Sequence, residues 1–277
     1  MQGGVHLLSG LVIASFSKRK MFKLGAVLGA ILPDIDIILI GPFYFIYGAT
    51  VAELHRTFTH SLFMVILLSG LIASLGYVPF VKKRFPDFDF VGLALGIGVG
   101  MFLHIFLDMF YFYGIQFLWP FSDIALGCPL ISEANHLDWV GCPLITQNNL
   151  DPAIPSELLK LKLIQTTDFY TDIFFFYIPM IILAYKKGLH KKARLAYLIY
   201  AIIDFLVITF FVVLAFNPTI GYEKFIVYLY IPGISFLLLS ILAPLFFKDV
   251  IREFKLDKQT LIIILSLFVF SQFLLFV

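Results

Sequence analysis

The chain has 277 residues, of which 61% are hydrophobic and only 14% are charged, and its formal net charge is +2. Its mean hydropathy is +0.98. This composition excludes an ordinary soluble domain and also a disordered chain, which would have few apolar residues and many charges. The small net charge says little about partners, and we expect no nucleic acid among them.

Apolar runs recur along the chain, and about 20 apolar residues are needed to cross a hydrocarbon core. Two less regular runs come first, at 4–16 and 24–41. Six clearer runs follow, at 61–81, 91–113, 169–185, 195–215, 225–247 and 259–277. We therefore expect an all-α fold, a polytopic membrane bundle of about eight transmembrane helices with one long outer loop. The first run is not typical of a signal peptide, because its basic residues follow it.

The basic residues predict how these helices are oriented. Sixteen of the twenty Lys and Arg residues lie in four short segments, 17–23, 82–84, 186–194 and 248–258. Two predicted helices separate each segment from the next, so all four segments lie on one side of the membrane. The positive-inside rule makes that side the cytoplasm. We therefore expect a multi-pass protein of the cytoplasmic membrane whose N-terminus and long loop 114–168 lie outside.

Ionisable residues interrupt the apolar segments, and in the predicted topology the candidate ligands among them lie near the outer face. Such residues are costly at membrane depth and usually serve a function. His104 and Asp108 share one helix face because they are four residues apart, at about 14 Å and about 7 Å below the outer helix end. The candidate metal ligands are His6, Asp34, Asp36, His60, His104 and Asp108. Their convergence predicts one metal site that opens outward.

Small residues near these positions indicate close packing of the helices. Glycines recur at four-residue spacing, at Gly25 and Gly29 and again at Gly92, Gly96 and Gly100. This spacing lets membrane helices approach each other at the backbone. Pro33 interrupts helical hydrogen bonding just before two carboxylates, which suits a pre-shaped ion site, although a simple kink is the alternative.

Five motifs follow one another in the first half of the chain. They are His6-Leu7-Leu8, Leu32-Pro33-Asp34-Ile35-Asp36, His55-Arg56-x-Phe58-Thr59-His60-Ser61, His104-x-x-x-Asp108 and Leu118-Trp119-Pro120. This series, over residues 1–122, resembles the YdjM-like family, whose members are described as LexA-regulated inner-membrane proteins and metal-dependent hydrolases. The resemblance implies that this part of the chain carries a metal-dependent hydrolase site.

At a greater distance the series is similar to the zinc-dependent phospholipase C and single-strand nuclease superfamily. Its helical ligands occur in the order His, Asp, His, His-x-x-x-Asp, which maps onto the candidate ligands of this chain. Two departures favour one metal ion over three. This chain has no His-x-x-x-Glu pair, and five residues precede His6, whereas the soluble enzymes use their N-terminal amine as a ligand.

Three residues are candidates for catalytic roles. Either Asp36, its neighbour Asp34 or His55 would take the proton of the attacking water. His55 alternatively binds the metal or caps the turn. Arg56 is predicted to pair with a substrate phosphate, because its planar guanidinium fits phosphate oxygens, with a lipid headgroup or Glu53 as the alternative partner. We expect the side chains of Thr57, Thr59 and Ser61 to cap the following helix.

Imidazole and carboxylate ligands predict a divalent metal ion, with zinc (Zn2+) first and iron, manganese or nickel as alternatives. The predicted function is hydrolysis of a phosphoester, either a small molecule or lipid-linked, by a metal-activated water at the outer face. Membrane lipids are then expected partners. Two alternatives are a metal-ion or proton-coupled transporter and a non-catalytic membrane protein with a structural metal site. Against transport, the inner halves of the helices lack polar groups, and no inverted repeat is visible.

The outer loop divides the chain into three predicted regions. They are a metal-site region over 1–122, an extracytoplasmic loop or lid over 123–168, and four C-terminal membrane helices over 169–277. The loop contains the only two cysteines, Cys128 and Cys142. On an oxidising side they are candidates for a disulfide, with free thiols or a second metal site with His136 as alternatives. The amphipathic stretch 157–162 is expected to lie on the outer surface as part of the lid.

Overall fold

The structure is a computed structural model. It describes residues 3–38, 55, 57–109, 115–122, 124–126, 131–133, 153–163 and 191–221, with shorter stretches between 224 and 266 and single positions at 43, 46, 47, 166 and 170. The predicted catalytic Arg56 lies outside the described residues, as do Cys128, Cys142 and His136. The disulfide and its alternatives therefore stay predictions, and so does nearly all of the predicted span 169–185.

Most of the described chain is helical, which confirms the all-α prediction in its coarse form. The N-terminal part contains α1 (Gly3–Ser15), α2 (Lys20–Gly29), a first 3₁₀ helix (Leu32–Asp36), a second 3₁₀ helix (Phe58–His60), α3 (Leu62–Leu75), α4 (Pro79–Arg84) and α5 (Phe90–Asp108). Strands β1 (Ile124–Leu126) and β2 (Ile131–Glu133) form a small antiparallel ribbon in which Ala125 pairs with Ser132. Helices α6 (Lys191–Ala215) and α7 (Lys248–Arg252) follow.

Helices α2 and α5 are parallel neighbours in the centre of the N-terminal bundle. They meet through glycines on both sides, Gly25 and Gly29 on α2 and Gly96 and Gly100 on α5. A Cβ added at any of these four positions would collide with a backbone carbonyl of the opposite helix. The predicted close packing is therefore confirmed at these positions. Gly92 has a different role, because a Cβ there would collide with the Asp89 carboxylate that caps α5.

Helices α1 and α3 run in the opposite direction to this central pair. Near the end of α2, Ala30 lies against Gly10 of α1, and in the middle of α5, Gly98 lies against Ser69 of α3. The start of α1, both 3₁₀ helices and the end of α5 consequently lie at one end of the bundle. An apolar core of Val65, Ile97, Met101, Ile105 and Ile115 packs α3 against α5 just below that end.

Among the described residues, α5 is the one helix long and apolar enough to cross a membrane. At 1.5 Å per residue its 19 residues extend about 28 Å, close to the thickness of a hydrocarbon core. Helix α5 ends at Asp108 and not at the predicted position 113, so His104 and Asp108 lie nearer its end than expected. The full set of eight spans stays a prediction.

Two of the predicted spans are divided in the structure. The run 24–41 is not one helix, since α2 ends at Gly29 and the chain continues as the first 3₁₀ helix, with Pro33 in its first turn. Proline lacks the N–H that an α-helix needs. The run 61–81 divides between α3 and α4, where Gly76 caps α3 and Pro79 begins α4.

Charged residues connect the elements at the opposite end of the bundle. Arg19 donates two hydrogen bonds to Asp89, at 2.7 and 3.1 Å, and this guanidinium holds the pKa of the Asp89 carboxyl below its usual value. Lys20 forms an ion pair of 2.5 Å with Glu253. The basic segments 17–23 and 248–258 and the turn after 82–84 therefore lie together at this end.

The predicted lid stretch 157–162 is not wholly on the surface. Leu161 and Lys162 are buried. The ammonium of Lys162 donates to the carbonyls of Ile220 and Asn217, at 2.7 and 3.3 Å. It also lies 5.6 Å from the centre of the Phe225 ring. The stretch is therefore attached to the turn that follows α6.

We predict that Gly96→Ala lowers the stability of the bundle by about 1–3 kcal/mol, because the added methyl group forces α2 and α5 apart. The measurement is thermal unfolding of the purified protein in detergent. Gly70→Ala in α3 is the matched control, because a Cβ there has no atom within 4 Å. It should leave the unfolding temperature unchanged or slightly higher. Equal unfolding temperatures for the two variants would contradict the close approach of the helices.

Candidate metal centre

Four fully buried side chains converge at the end of the bundle where α5 ends. They are Asp34, His60, His104 and Asp108. One nitrogen or oxygen atom from each lies within 4.8 Å of the atoms from the other three. Imidazole nitrogens and carboxylate oxygens are the ligands of many divalent metal ions. The cluster is therefore a group that can hold a metal ion, as the sequence predicted.

Three local features bring these ligands together. Asp34 is in the first 3₁₀ helix, which follows α2 and has Pro33 in its first turn. His60 is the last residue of the second 3₁₀ helix, and Ser61 then caps α3 by accepting a hydrogen bond of 3.1 Å from the backbone N–H of Met64. The other two ligands are one turn apart on the same face of α5.

The distances within the cluster are nearly uniform. His60 Nε2 lies 3.2 Å from His104 Nε2. These two nitrogens lie 3.6 and 3.4 Å from Asp34 Oδ1, and 3.5 and 3.6 Å from Asp108 Oδ2. Five of the six distances among the four donor atoms are thus 3.2–3.6 Å. In a regular tetrahedron with edges of about this length the centre lies about 2.1 Å from each corner, a bond length typical of zinc with imidazole or carboxylate. The donor atoms are thus spaced as they would be around one ion.

The hydrogen bonding of His104 orients its free nitrogen toward the cluster. His104 Nδ1 lies 2.8 Å from the carbonyl oxygen of Ala30, and because a carbonyl only accepts, Nδ1 carries the proton. In the neutral ring Nε2 then has a lone pair directed at the other donors. Neither carboxylate oxygen of Asp34 accepts a hydrogen bond from the described residues. A buried carboxylate that faces a lone pair is an arrangement that a bound cation would stabilise.

A second buried group lies beside the first and shares His60 with it. It consists of Asp36, His55 and His60. Asp36 accepts hydrogen bonds from His55 Nδ1 at 2.9 Å and from the hydroxyl of Thr59 at 2.7 Å. Asp36 and His55 therefore form a hydrogen-bonded pair. The structure therefore places Asp36 next to the four-donor cluster and in contact with its His60.

His6 is also buried at this end, because α1 begins there. Its ring stacks on that of His104, with 3.5 Å between centroids. His6 Nε2 lies 3.2 Å from Asp108 Oδ1, the carboxylate oxygen opposite to the one in the cluster. The structure thus brings all six predicted ligands to one place, with four in the inner group and with His6 and Asp36 contacting them.

The expected capping roles of the three hydroxyl residues are only partly correct. Ser61 caps α3, whereas the side chain of Thr57 makes no capping hydrogen bond to the second 3₁₀ helix. Thr59 is not a cap, since its hydroxyl contacts both Asp36 and His60. Residue type could not separate these roles, and the only signal for Thr59 was its position directly before a ligand.

Aromatic side chains cluster around the second 3₁₀ helix, which carries His60, and the start of α3. Phe58 and Trp119 form an edge-to-face pair with 5.4 Å between ring centroids. Phe63 lies 6.4 Å from Trp119 and 6.2 Å from Phe121. Phe58, Phe63 and Phe121 are exposed. We call these four residues the aromatic rim. A hydrogen bond of 2.9 Å from Leu62 N–H to Phe117 O fixes the rim beside the start of α3.

Comparison with known proteins gives one family and one curated relative. The family model described as YdjM inner membrane protein matches residues 1–218, which extends well beyond the 1–122 region identified from the motifs. The uncharacterized protein YfhP of Bacillus subtilis (strain 168) is 32% identical over 127 residues, which is 45% of this chain and 36% of that protein. The chain thus matches about a third of this relative's length. No solved structure matches the chain at a significant level.

We predict that Asp108→Asn loses the metal that the wild-type protein retains, because it removes one of the two charged ligands. Bound metal is measured by inductively coupled plasma mass spectrometry after purification. Asp87→Asn is the matched control, since Asp87 is exposed at the other end of α5. Removing the metal by chelation should also lower stability, by about 2.7 kcal/mol if free metal had been at a hundredfold excess over Kd. Equal metal contents in the wild-type protein, Asp108→Asn and Asp87→Asn would contradict the assignment.

Proposed function

The chain belongs to the YdjM family of inner membrane proteins, and on that premise we propose that it is a metal-dependent hydrolase of the membrane. The observation that carries the proposal is the buried four-donor cluster with the Asp36–His55 pair directly beside it. A purely structural metal site needs only the ligands. A hydrolase also needs a group that accepts a proton next to the metal, and this pair supplies one.

Zinc is the metal that fits the cluster best. Two imidazoles and two carboxylates suit zinc, and the five nitrogen–nitrogen and nitrogen–oxygen distances of 3.2–3.6 Å suit an ion of its size. When bound, such an ion would accept a water as a further ligand beside the four side chains, lower the pKa of that water toward about 7 and polarise the oxygen under attack. Iron, manganese and nickel are the alternatives for the same ligands.

The residues beside the cluster have distinct roles in the proposed reaction. Asp36 orients the ring of His55 through the 2.9 Å hydrogen bond to Nδ1. His55 then accepts the proton of the attacking water at Nε2. His60 contributes Nε2 to the cluster, while its Nδ1 faces Thr59. Arg56, the next residue in the chain, is proposed to bind the phosphate of the substrate through its guanidinium.

The aromatic rim favours a lipid-linked phosphoester as the substrate. Aromatic side chains concentrate at the interface between the hydrocarbon core and the headgroups. Along α5, Val91, Leu95, Val99, Phe102 and Phe106 are exposed on one face. This apolar face leads along the helix toward the end that carries the site, so an acyl chain can lie along it. We propose that the site faces the outer leaflet, with the N-terminus and the loop 114–168 outside.

The close contact between α2 and α5 argues against the transporter alternative. An ion path across the membrane needs polar groups on both sides of the midplane. Between the cluster and the opposite end, neither Leu24–Gly29 of α2 nor Phe90–Leu103 of α5 contains an ionisable residue. The glycines there bring the two backbones into contact and leave no space between them. This interface is therefore sealed on the inner side of the site.

We predict that the zinc-loaded protein hydrolyses a phospholipid or a model phosphodiester and that His55→Ala lowers kcat by about 10²–10⁴-fold, because it removes the proton acceptor. The variant should retain its zinc. His104→Ala should lose both zinc and activity. Turnover is followed by phosphate or headgroup release in mixed micelles, with Asp87→Asn as the control.

Two outcomes would contradict this proposal. Zinc retained by the wild-type protein without hydrolysis of any ester would favour a structural site. Zinc flux into liposomes without turnover would favour the transporter.

We predict that Trp119→Ala raises KM for a phospholipid in vesicles about tenfold, because a half-buried aromatic side chain contributes about 1–2 kcal/mol of apolar contact. The KM for a water-soluble phosphodiester should be unchanged. Phe80→Ala is the control, since Phe80 is an exposed aromatic residue in α4 at the opposite end. An equal effect of Trp119→Ala on both substrates would indicate that the rim does not bind lipid.

A further inference from the structure

We propose that Thr59 is the positioning residue that fixes the tautomer of His60 and thereby sets the affinity of the site for its metal. The inference rests on the metal site of the proposed function but not on hydrolysis. Thr59 is buried and lies directly before His60 in the second 3₁₀ helix. Its hydroxyl lies within hydrogen-bonding distance of both the Asp36 carboxylate, at 2.7 Å, and Nδ1 of the His60 ring, at 3.0 Å.

The direction of these hydrogen bonds follows from what each group can donate. The hydroxyl of Thr59 lies 2.7 Å from Asp36 Oδ2, and a carboxylate only accepts, so the single hydroxyl proton is donated there. The same oxygen lies 3.0 Å from His60 Nδ1. With its proton already used, Thr59 can only accept from the ring. His60 Nδ1 must therefore carry the proton.

This assignment leaves His60 Nε2 with a lone pair directed at the metal cluster. Nε2 faces His104 Nε2 at 3.2 Å and the carboxylates of Asp34 and Asp108 at 3.6 and 3.5 Å. The opposite tautomer would place a proton on Nε2 and donate it to one of these carboxylates. That arrangement satisfies the site without metal and competes with metal binding.

Without the hydroxyl, the remaining support for the binding tautomer is weak. Asp36 Oδ2 lies 3.4 Å from His60 Nδ1, which is longer than a good hydrogen bond. The other histidine of the cluster does not have this dependence, because Ala30 holds His104 through a backbone carbonyl. Thr59 is therefore the side chain through which the metal affinity of the cluster can be changed without altering a ligand.

The test compares Thr59→Val, which keeps the shape but removes the hydroxyl, with Thr59→Ser, which retains it. Zinc Kd is measured on the full-length protein in detergent by competition with a chromophoric chelator. We expect Thr59→Val to bind zinc about 10–100-fold more weakly than the wild type and Thr59→Ser to bind within a few-fold of it. Ser61→Ala is the structural control. It removes the cap of α3, so it should lower the unfolding temperature and leave the zinc Kd unchanged.

A spectroscopic measurement on the wild-type protein is a second test, and its result does not depend on any variant. In metal-free protein labelled with ¹⁵N-histidine, the nitrogen shifts of His60 should show the proton on Nδ1. A His60 whose proton lies on Nε2 alone, with no proton on Nδ1, would overturn the proposal. So would a Thr59→Val variant that binds zinc as tightly as the wild type, or a Thr59→Ser variant that binds as weakly as Thr59→Val. A wild-type protein that binds no divalent metal would instead refute the metal site itself.

Discussion

Two carboxylates and two imidazoles face one another in a space that solvent does not reach. The architecture of this end of the bundle depends on how the negative charge of the two carboxylates is compensated. Asp34 and Asp108 are fully buried. Moving an ion of this size out of water costs several kcal/mol even after the protein relaxes. A divalent cation would neutralise both carboxylates and also occupy the lone pairs of His60 and His104. The cluster is therefore explained more simply as a binding site than as packing.

The geometry of the cluster depends on contacts far from it. The glycines of α2 and α5 place the two backbones in contact. This contact fixes the position along α5 at which α2 ends. Because α2 ends at Gly29, the carbonyl of Ala30 lies at the helix end, where it accepts a hydrogen bond from His104 Nδ1. The Arg19–Asp89 pair connects the same two helices at their other ends. The ligands are thus positioned by a helix pair held at both ends.

The sequence predicted the ligands better than the elements that carry them. His104 and Asp108 were identifiable because helical spacing alone places them together, and Asp34 because it is a carboxylate inside an apolar run. A break at Pro33 was also predicted, but hydropathy did not show that the run 24–41 continues as a 3₁₀ helix or that the run 61–81 divides between α3 and α4. Hydropathy also did not show that α5 ends at Asp108. The roles of Thr59 and Ser61 depend on backbone direction, which residue type does not reveal.

The 3₁₀ helices explain how this site combines burial with polarity. Irregular backbone at membrane depth is tolerated where protein surrounds it. Here the two 3₁₀ helices pack against each other, the first also against α2 and α5 and the second also against α3. A regular helix presents one ligand per turn on a given face, whereas the first 3₁₀ helix directs Asp34 and Asp36 to two adjoining groups. One carboxylate then faces the cluster and the other faces His55 and Thr59. This division leaves Asp34 with the four-donor cluster and gives the neighbouring histidines Asp36 as their hydrogen-bond partner, so that in the proposed reaction metal binding and proton transfer would use separate carboxylates.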